Sequence, residues 1–245
     1  MSGNLLVEGE RLDDLQCKGY YIIQNPNEFC FGMDAVLLAD FARAKSTDRV
    51  MDLCTGTGII PILMEARGFG GSFTGIEIQE HSADMATRSM LYNGLADKIK
   101  IMCRDVRKVR ESFAASSYEA VTANPPYIKD NHGLENELSA LNIARHEILL
   151  SLEDVISAAA YLLVPGGHFY MVHKPFRLAE IFEVMKKYKL EPKRMRMVQP
   201  YADKEPNMVL IDAALGGKSM IKVEPALVVY NADGSYTEQL LKVYG

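Results

Sequence analysis

From Arg49 onward the apolar positions form a repeating alternation of short, nearly continuous runs and longer amphipathic stretches. Val50-Met51-Asp52-Leu53-Cys54 is a short run of the kind a strand shows when both of its faces are covered. A tight Thr55-Gly56-Thr57-Gly58 turn follows. A helix over Ile59 to Arg67 comes next, with Pro61 in its first turn, where a missing N–H breaks no helical bond. The same reading predicts a strand over Ser72 to Ile78, a helix over His81 to Tyr92 closed by Asn93-Gly94, and strands over Ile99 to Met102 and Tyr118 to Ala123. Further on it predicts a helix over Leu152 to Leu163 stopped by Pro165-Gly166-Gly167, a strand over His168 to His173 and a helix over Leu178 to Tyr188. Two last strands are expected at about Lys193–Val198 and Met208–Ala214. Strands alternating with helices are parallel βαβ units. The expected fold is therefore α/β: a Rossmann-like, doubly wound, mostly parallel seven-stranded sheet with helices on both faces.

The two ends of the chain are less regular. Leu12, Leu15, Tyr20, Ile22 and Ile23 suggest short strands, and Gly32 to Phe41 reads as an apolar helix. The stretch Leu227 to Tyr236 carries a turn signal at Asp233-Gly234, consistent with a hairpin. The expected organisation is an N-terminal cap segment over 1–48, a core domain over 49–220, and a C-terminal extension over 221–245 packed on that domain. No repeat or low-complexity tract interrupts it.

Composition narrows the setting. No run of about 18 apolar residues occurs, so no membrane span is expected. Met1-Ser2-Gly3-Asn4 lacks the basic and apolar regions of a secretory signal. Cys17, Cys30, Cys54 and Cys103 are scattered without a Cys-x-x-Cys pair, which argues against a structural metal and against a disulfide framework. A cytoplasmic protein with reduced thiols is the expectation. The net charge of −5 does not mark a nucleic-acid binder. Cations nevertheless gather locally, in Arg104, Arg107, Lys108 and Arg110, in the Lys186 to Arg196 region, and in Arg145, His146, His173, Lys174 and Arg177. The oligomeric state is left open.

The chemistry concentrates at the ends of the expected strands. Asn124-Pro125-Pro126-Tyr127 follows the strand ending at Ala123. Two prolines have no N–H to donate, so the chain must turn and its carbonyls lose their ladder partners. Asn124 adds an amide and Tyr127 a flat ring, which together suit a planar group bearing an NH2, such as a nucleobase or a carboxamide. Asp52-x-x-x-Gly56-x-Gly58 lies between a strand and a helix, where open α/β sheets bind ligands. Pro61 stands where a dinucleotide site would have its third glycine, and no Gly-Lys-Ser/Thr follows, so the loop is not built for a pyrophosphate. Asp52, Glu77 and Asp105 lie at the ends of three successive strands. Glu77 can accept ribose hydroxyls, and Asp105 an adenine amino group. A pocket of three carboxylates repels phosphate and attracts a cationic nucleoside, for which S-adenosylmethionine is the matching ligand.

These residues resemble the motifs of class I S-adenosylmethionine-dependent methyltransferases. Asp52-Leu53-Cys54-Thr55-Gly56-Thr57-Gly58 resembles the first motif, Gly75-Ile76-Glu77-Ile78 the second, and Arg104-Asp105-Val106 the adenine-contacting one. Asn124-Pro125-Pro126-Tyr127 resembles the amino-methylating signature. Phe31 to Leu38, Ala144-Arg145-His146-Glu147, His173-Lys174-Pro175-x-Arg177-Leu178 and Leu215-Gly216-Gly217-Lys218 are similar to segments of bacterial tRNA (adenine-N6)-methyltransferases, which modify an adenosine beside the anticodon of a valine tRNA. The resemblance implies a cofactor site of Asp34, Asp52, Cys54, Thr55, Gly56, Gly58, Glu77, Ile78, Asp105, Val106 and Asn124. It implies catalysis by Asn124, Pro125, Pro126 and Tyr127, and tRNA as partner. Arg145, Lys174 and Arg177 are the expected phosphate contacts, whereas His146 and His173 are given no role. Asp34 is read either as a lid over the cofactor or as a helix N-cap. Methylation of a glutamine in a protein factor or of an rRNA base, a non-catalytic S-adenosylmethionine- or nucleotide-binding module, and a dehydrogenase are the competing readings. The short N-terminal segment, the intact Asn-Pro-Pro-Tyr and the missing third glycine count against the glutamine, binding-module and dehydrogenase readings, respectively.

Overall fold

The computed structural model describes residues 5–28, 30–126 and 150–244. An N-terminal hairpin, β1 (Arg11–Asp14) and β2 (Tyr21–Gln24), leads to α1 (Met33–Phe41). The alternating region follows as β3 (Arg49–Leu53), α2 (Ile59–Ala66), β4 (Ser72–Glu77), α3 (Glu80–Tyr92), β5 (Ile99–Cys103), α4 (Val109–Ser112) and β6 (Tyr118–Ala123). The chain continues through α5 (Leu152–Leu162), β7 (Leu163–His173), α6 (Leu178–Lys187), β8 (Leu190–Gln199), β9 (Met208–Leu215), β10 (Lys222–Val228) and α7 (Glu238–Tyr244).

Strands β3 to β10 form one twisted sheet in the order β10-β8-β9-β7-β6-β3-β4-β5. All neighbours are parallel except β9, which runs antiparallel to both β7 and β8. Side chains along the central strands alternate between two cores. Val50 and Ala120 join α1, α2 and α7 on one face, and Met51, Leu53, Val121 and Ala123 join α4, α5 and α6 on the other. That double burial is why these strands read as unbroken apolar runs.

The fold is the expected class, with two differences in detail. The sheet has eight strands rather than seven, because β10 pairs with the outer side of β8. Strand β7 also begins at Leu163, before Pro165-Gly166-Gly167 rather than after it. The pairing of β6 with β7 jumps from Tyr118↔Leu163 to Ala120↔His168, and this irregularity houses the proline and Gly166, whose φ is +79°. No helix among the described residues is long and apolar enough to cross a membrane.

Candidate active site

From β3 the chain steps outward to β4 and β5, then returns to lay β6 on the other side of β3. The strand order therefore reverses between β3 and β6, and a crevice opens beyond the carboxyl ends at that point. The glycine loop leaves β3 and the Asn124 turn leaves β6. Leu53 pairs with Ala123, so Cys54 and Asn124 stand side by side as the first residues past their strands.

The loop geometry follows from its residues. The Thr55 N–H donates to the Ile76 carbonyl at 3.0 Å, and the Gly58 N–H to the Thr55 carbonyl at 2.9 Å. Gly56 and Gly58 adopt φ of +55° and +85°. The left-handed φ of Gly58 is strained for any other residue, and a Cβ there would also meet the Met90 Cε at 2.5 Å, so that side chain would have to shift. A Cβ on Gly56 would meet nothing within 4 Å, so that residue's backbone borders open space. Cys54, at φ +58°, holds a left-handed conformation without being glycine. Desolvation, together with the carboxylates of Glu77, Asp52 and Asp105, pushes its thiol up and keeps it protonated.

The three acids have distinct environments. Asp52 is buried between β4 and β6, and its Oδ1 accepts from the Thr122 hydroxyl at 2.6 Å. Its Oδ2 and the Thr55 hydroxyl are buried without a hydrogen-bond partner among the described residues. Burial raises the Asp52 carboxyl to about 7, with the nearby hydroxyls of Thr122 and Thr55 opposing and the charge of Glu77 adding to the rise. Glu77 is buried at the end of β4; Oε2 accepts from the Gly56 N–H and Oε1 from the Gln79 N–H, both at 2.9 Å. Asp105 caps a short 3-10 turn and pairs with the Arg107 guanidinium at 2.5 Å, which holds its carboxyl below the ordinary range. Ile78 is half exposed and Val106 buried on either side of this opening.

Of the remaining expected site residues, Asn124 is partly buried, Pro125 buried and Pro126 exposed. Tyr127 and Arg145 lie outside the described residues. Asp34 is not an N-cap: helix α1 is entered through Gly32, and Asp34 sits in its first turn, where it accepts the Ala35 N–H at 2.9 Å. Lys174 and Arg177 follow β7, the strand beside β6. The Lys174 ammonium reaches the Asn207 carbonyl at 3.4 Å, and Arg177 forks onto Glu180 at 2.6 Å. His173 is buried and its ring is pushed down to about 4, by burial first and the Arg177 charge second, so it is neutral. Thr122 is the residue that sequence reasoning missed. A lone threonine in a strand carries no signal beyond its place two positions before Asn124, yet its hydroxyl joins the strand of the turn to the acid of the loop.

The residues suit a cationic ligand: the Asp52 and Glu77 carboxyls, each buried, lie at the ends of adjacent strands beside a Gly56 backbone that borders open space. Comparison with known proteins agrees. Residues 31–188 match the family model for the methyltransferase small domain. A Bacteroides fragilis protein named tRNA1(Val) (adenine(37)-N6)-methyltransferase is 29% identical over 181 residues, covering 74% of this chain and 75% of the relative. A protein of the same name from a Flavobacteriaceae bacterium is 26% identical over 227 residues, covering 92% and 94%. Among solved structures, a predicted O-methyltransferase from Agrobacterium tumefaciens superposes with a TM-score of 0.69 at 22% identity, over 86% of this chain and 95% of that one. The chain belongs to the methyltransferase small-domain family, and it is a class I methyltransferase whose methyl donor is S-adenosylmethionine.

Proposed function

We propose that this protein methylates the exocyclic N6 of an adenine in tRNA, beside the anticodon of a valine tRNA. The observation that carries the proposal is the adjacency of Cys54 and Asn124 across the β3–β6 pair, which sets the Asn124 turn directly against the glycine loop. The names of the relatives support the same substrate.

In this reading Glu77 accepts the ribose hydroxyls of the donor. Asp52 and Thr55 face its positively charged amino acid part, and Asp105 meets its adenine with Ile78 and Val106 flanking the ring. The donor supplies a methyl group activated by a sulfonium. The Asn124 Oδ1 and the Pro125 carbonyl accept the two N–H groups of the target amine. That pairing draws the nitrogen toward pyramidal geometry and frees its lone pair for attack. No strong base is needed beforehand, because the nitrogen becomes acidic once methylated. Tyr127 stacks on the target base, which must be unpaired or flipped out to reach the turn. Lys174, Arg177 and Arg145 meet phosphates. Buried and neutral, His173 takes no part in proton transfer.

The test is incubation of the purified protein with S-adenosylmethionine and unmodified total tRNA, followed by mass spectrometry of the nucleosides. N6-methyladenosine is expected. At saturating donor, Asn124→Ala should reduce its formation by about 100-fold or more. A methyl group recovered on a protein glutamine, on rRNA alone, or on no RNA at all would refute the proposal, as would an Asn124→Ala enzyme with full activity.

A further inference from the structure

The carboxyl edge of the sheet does not end at the Asn124 turn. Moving away from β3, the same edge carries the turn after β7, the start of the antiparallel β9, the turn after β8 and the turn after β10. Those last two turns, with α7, hold a row of four tyrosines. Tyr201 and Tyr230 lie with ring centroids 5.4 Å apart at 33°. Tyr230 and Tyr236 stack at 5.4 Å and 24°. Tyr236 and Tyr244 follow at 6.5 Å and 11°.

The row is held by the backbone. The Val229 and Tyr230 N–H groups donate to the carbonyls of Gln199 and Pro200, both at 2.9 Å, and fix Tyr230 beside Tyr201. Tyr230 and Tyr236 face one another in an antiparallel bridge across the Asn231–Ser235 turn, closed by the Asn231 N–H on the Ser235 carbonyl at 2.8 Å. Thr237 then caps α7, accepting from the Leu240 N–H at 3.2 Å and donating to the Val228 carbonyl at 2.6 Å. Leu240 and Val243 anchor that helix in the core, which places Tyr244 at the end of the row. Although its scaffold is this firm, Tyr236 is 46% exposed and Tyr244 42%.

We propose that this row is a stacking platform for unpaired nucleotides that flank the methylated base. The inference rests on RNA being the substrate. Four neighbouring strand steps separate β6 from β10, so the platform sits roughly 20 Å along the edge from the reaction turn. It therefore takes nucleotides beside the target and leaves the target to Asn124. Phe176, 61% exposed in the turn after β7, lies between the two. The two exposed rings, Tyr236 and Tyr244, lie nearly parallel on this scaffold with Tyr230 stacked behind Tyr236, an arrangement that suits base faces, which stack without regard to sequence. The local charge suits bases better than phosphates. Lys204 is paired with Asp203 at 3.6 Å, and Asp233 lies in the Tyr230–Tyr236 turn, so the platform adds no net positive charge.

The experiment uses the full chain and a transcribed valine tRNA. Tyr236→Leu and Tyr244→Leu keep apolar bulk but remove the flat face, and Tyr236→Phe keeps the face. The leucine variants are expected to raise the KM for tRNA by about 10-fold each. Their affinity for S-adenosylmethionine and their kcat at saturating tRNA should match wild type, and Tyr236→Phe should restore wild-type KM. Because the contact is to bases, the slope of log affinity against log salt should be unchanged. Leucine variants that fold and bind tRNA as the parent does overturn the platform alone. A wild-type dimer that Tyr236→Leu converts to monomers, with no change in KM, assigns the row to a second copy and overturns it too. A wild-type protein that binds the donor yet methylates no RNA overturns the proposed substrate and this inference together.

Discussion

At the scale of single residues, Asp52 and Cys54 show what the loop gives up in stability to form a site. Asp52 titrates at about 7 in the folded chain, against an ordinary value of 3.8. Below the ordinary value both folded and unfolded forms are protonated. Between 3.8 and about 7 the unfolded chain gives up its proton first, so folding stability falls as pH rises and levels off above 7. Asp52→Asn carries no charge at any pH. Its ligand-free melting temperature should exceed wild type by a margin that grows between pH 5 and 8, while its affinity for S-adenosylmethionine falls; thermal melts and calorimetry at both pH values check this. Cys54 tests the backbone instead. Its left-handed conformation costs a β-branched residue most, so Cys54→Val should lose about 1–3 kcal/mol in chemical denaturation, and Cys54→Gly should be close to neutral. The sequence showed that a cysteine occupies this motif but not what its φ would be, because dihedrals at a turn are set by the strands and helix it must join.

At the scale of elements, the period of apolar positions was a dependable guide wherever a strand was covered on both faces, as in β3, β4 and β6. It failed for β10, whose Lys222-Val223-Glu224-Pro225-Ala226-Leu227-Val228 alternates weakly and contains a proline. An edge strand tolerates that proline because its outer side has no ladder, and the pairing shifts between Glu224 and Leu227 to absorb it. The N-terminal hairpin depends on a different device. The Asn93 side chain, at the end of α3, accepts the Tyr21 N–H at 2.8 Å and donates to the Tyr21 carbonyl at 2.6 Å, as a neighbouring strand would. Ser89 accepts the Ile23 N–H at 2.9 Å one turn earlier. Asn93→Ala leaves two part-buried backbone groups of β2 without those partners. It should cost about 1–3 kcal/mol and speed amide exchange in residues 21–24 relative to the central sheet.

At the scale of the whole molecule, the order of the sheet brings the Asn124 turn against the glycine loop, and each motif was legible in the sequence before that contact was. Their adjacency was not, because it depends on β6 returning to β3 after the excursion through β4 and β5. Residues 221–245 contribute Leu227, Val229, Leu240 and Val243 to the core that also holds α1 and α2. A chain ended at residue 220 loses those side chains and bares β8 along its length. It should precipitate or melt well below the full chain in a thermal scan. The antiparallel strand β9 has a temporal consequence. It lies between β7 and β8 but is made after both, so as the chain leaves the ribosome β8 has no partner to join until residues 208–215 emerge and slot in between. The half of the sheet that holds the glycine loop can assemble first, whereas the half that carries the tyrosine row must wait until residues 208–244 have been made.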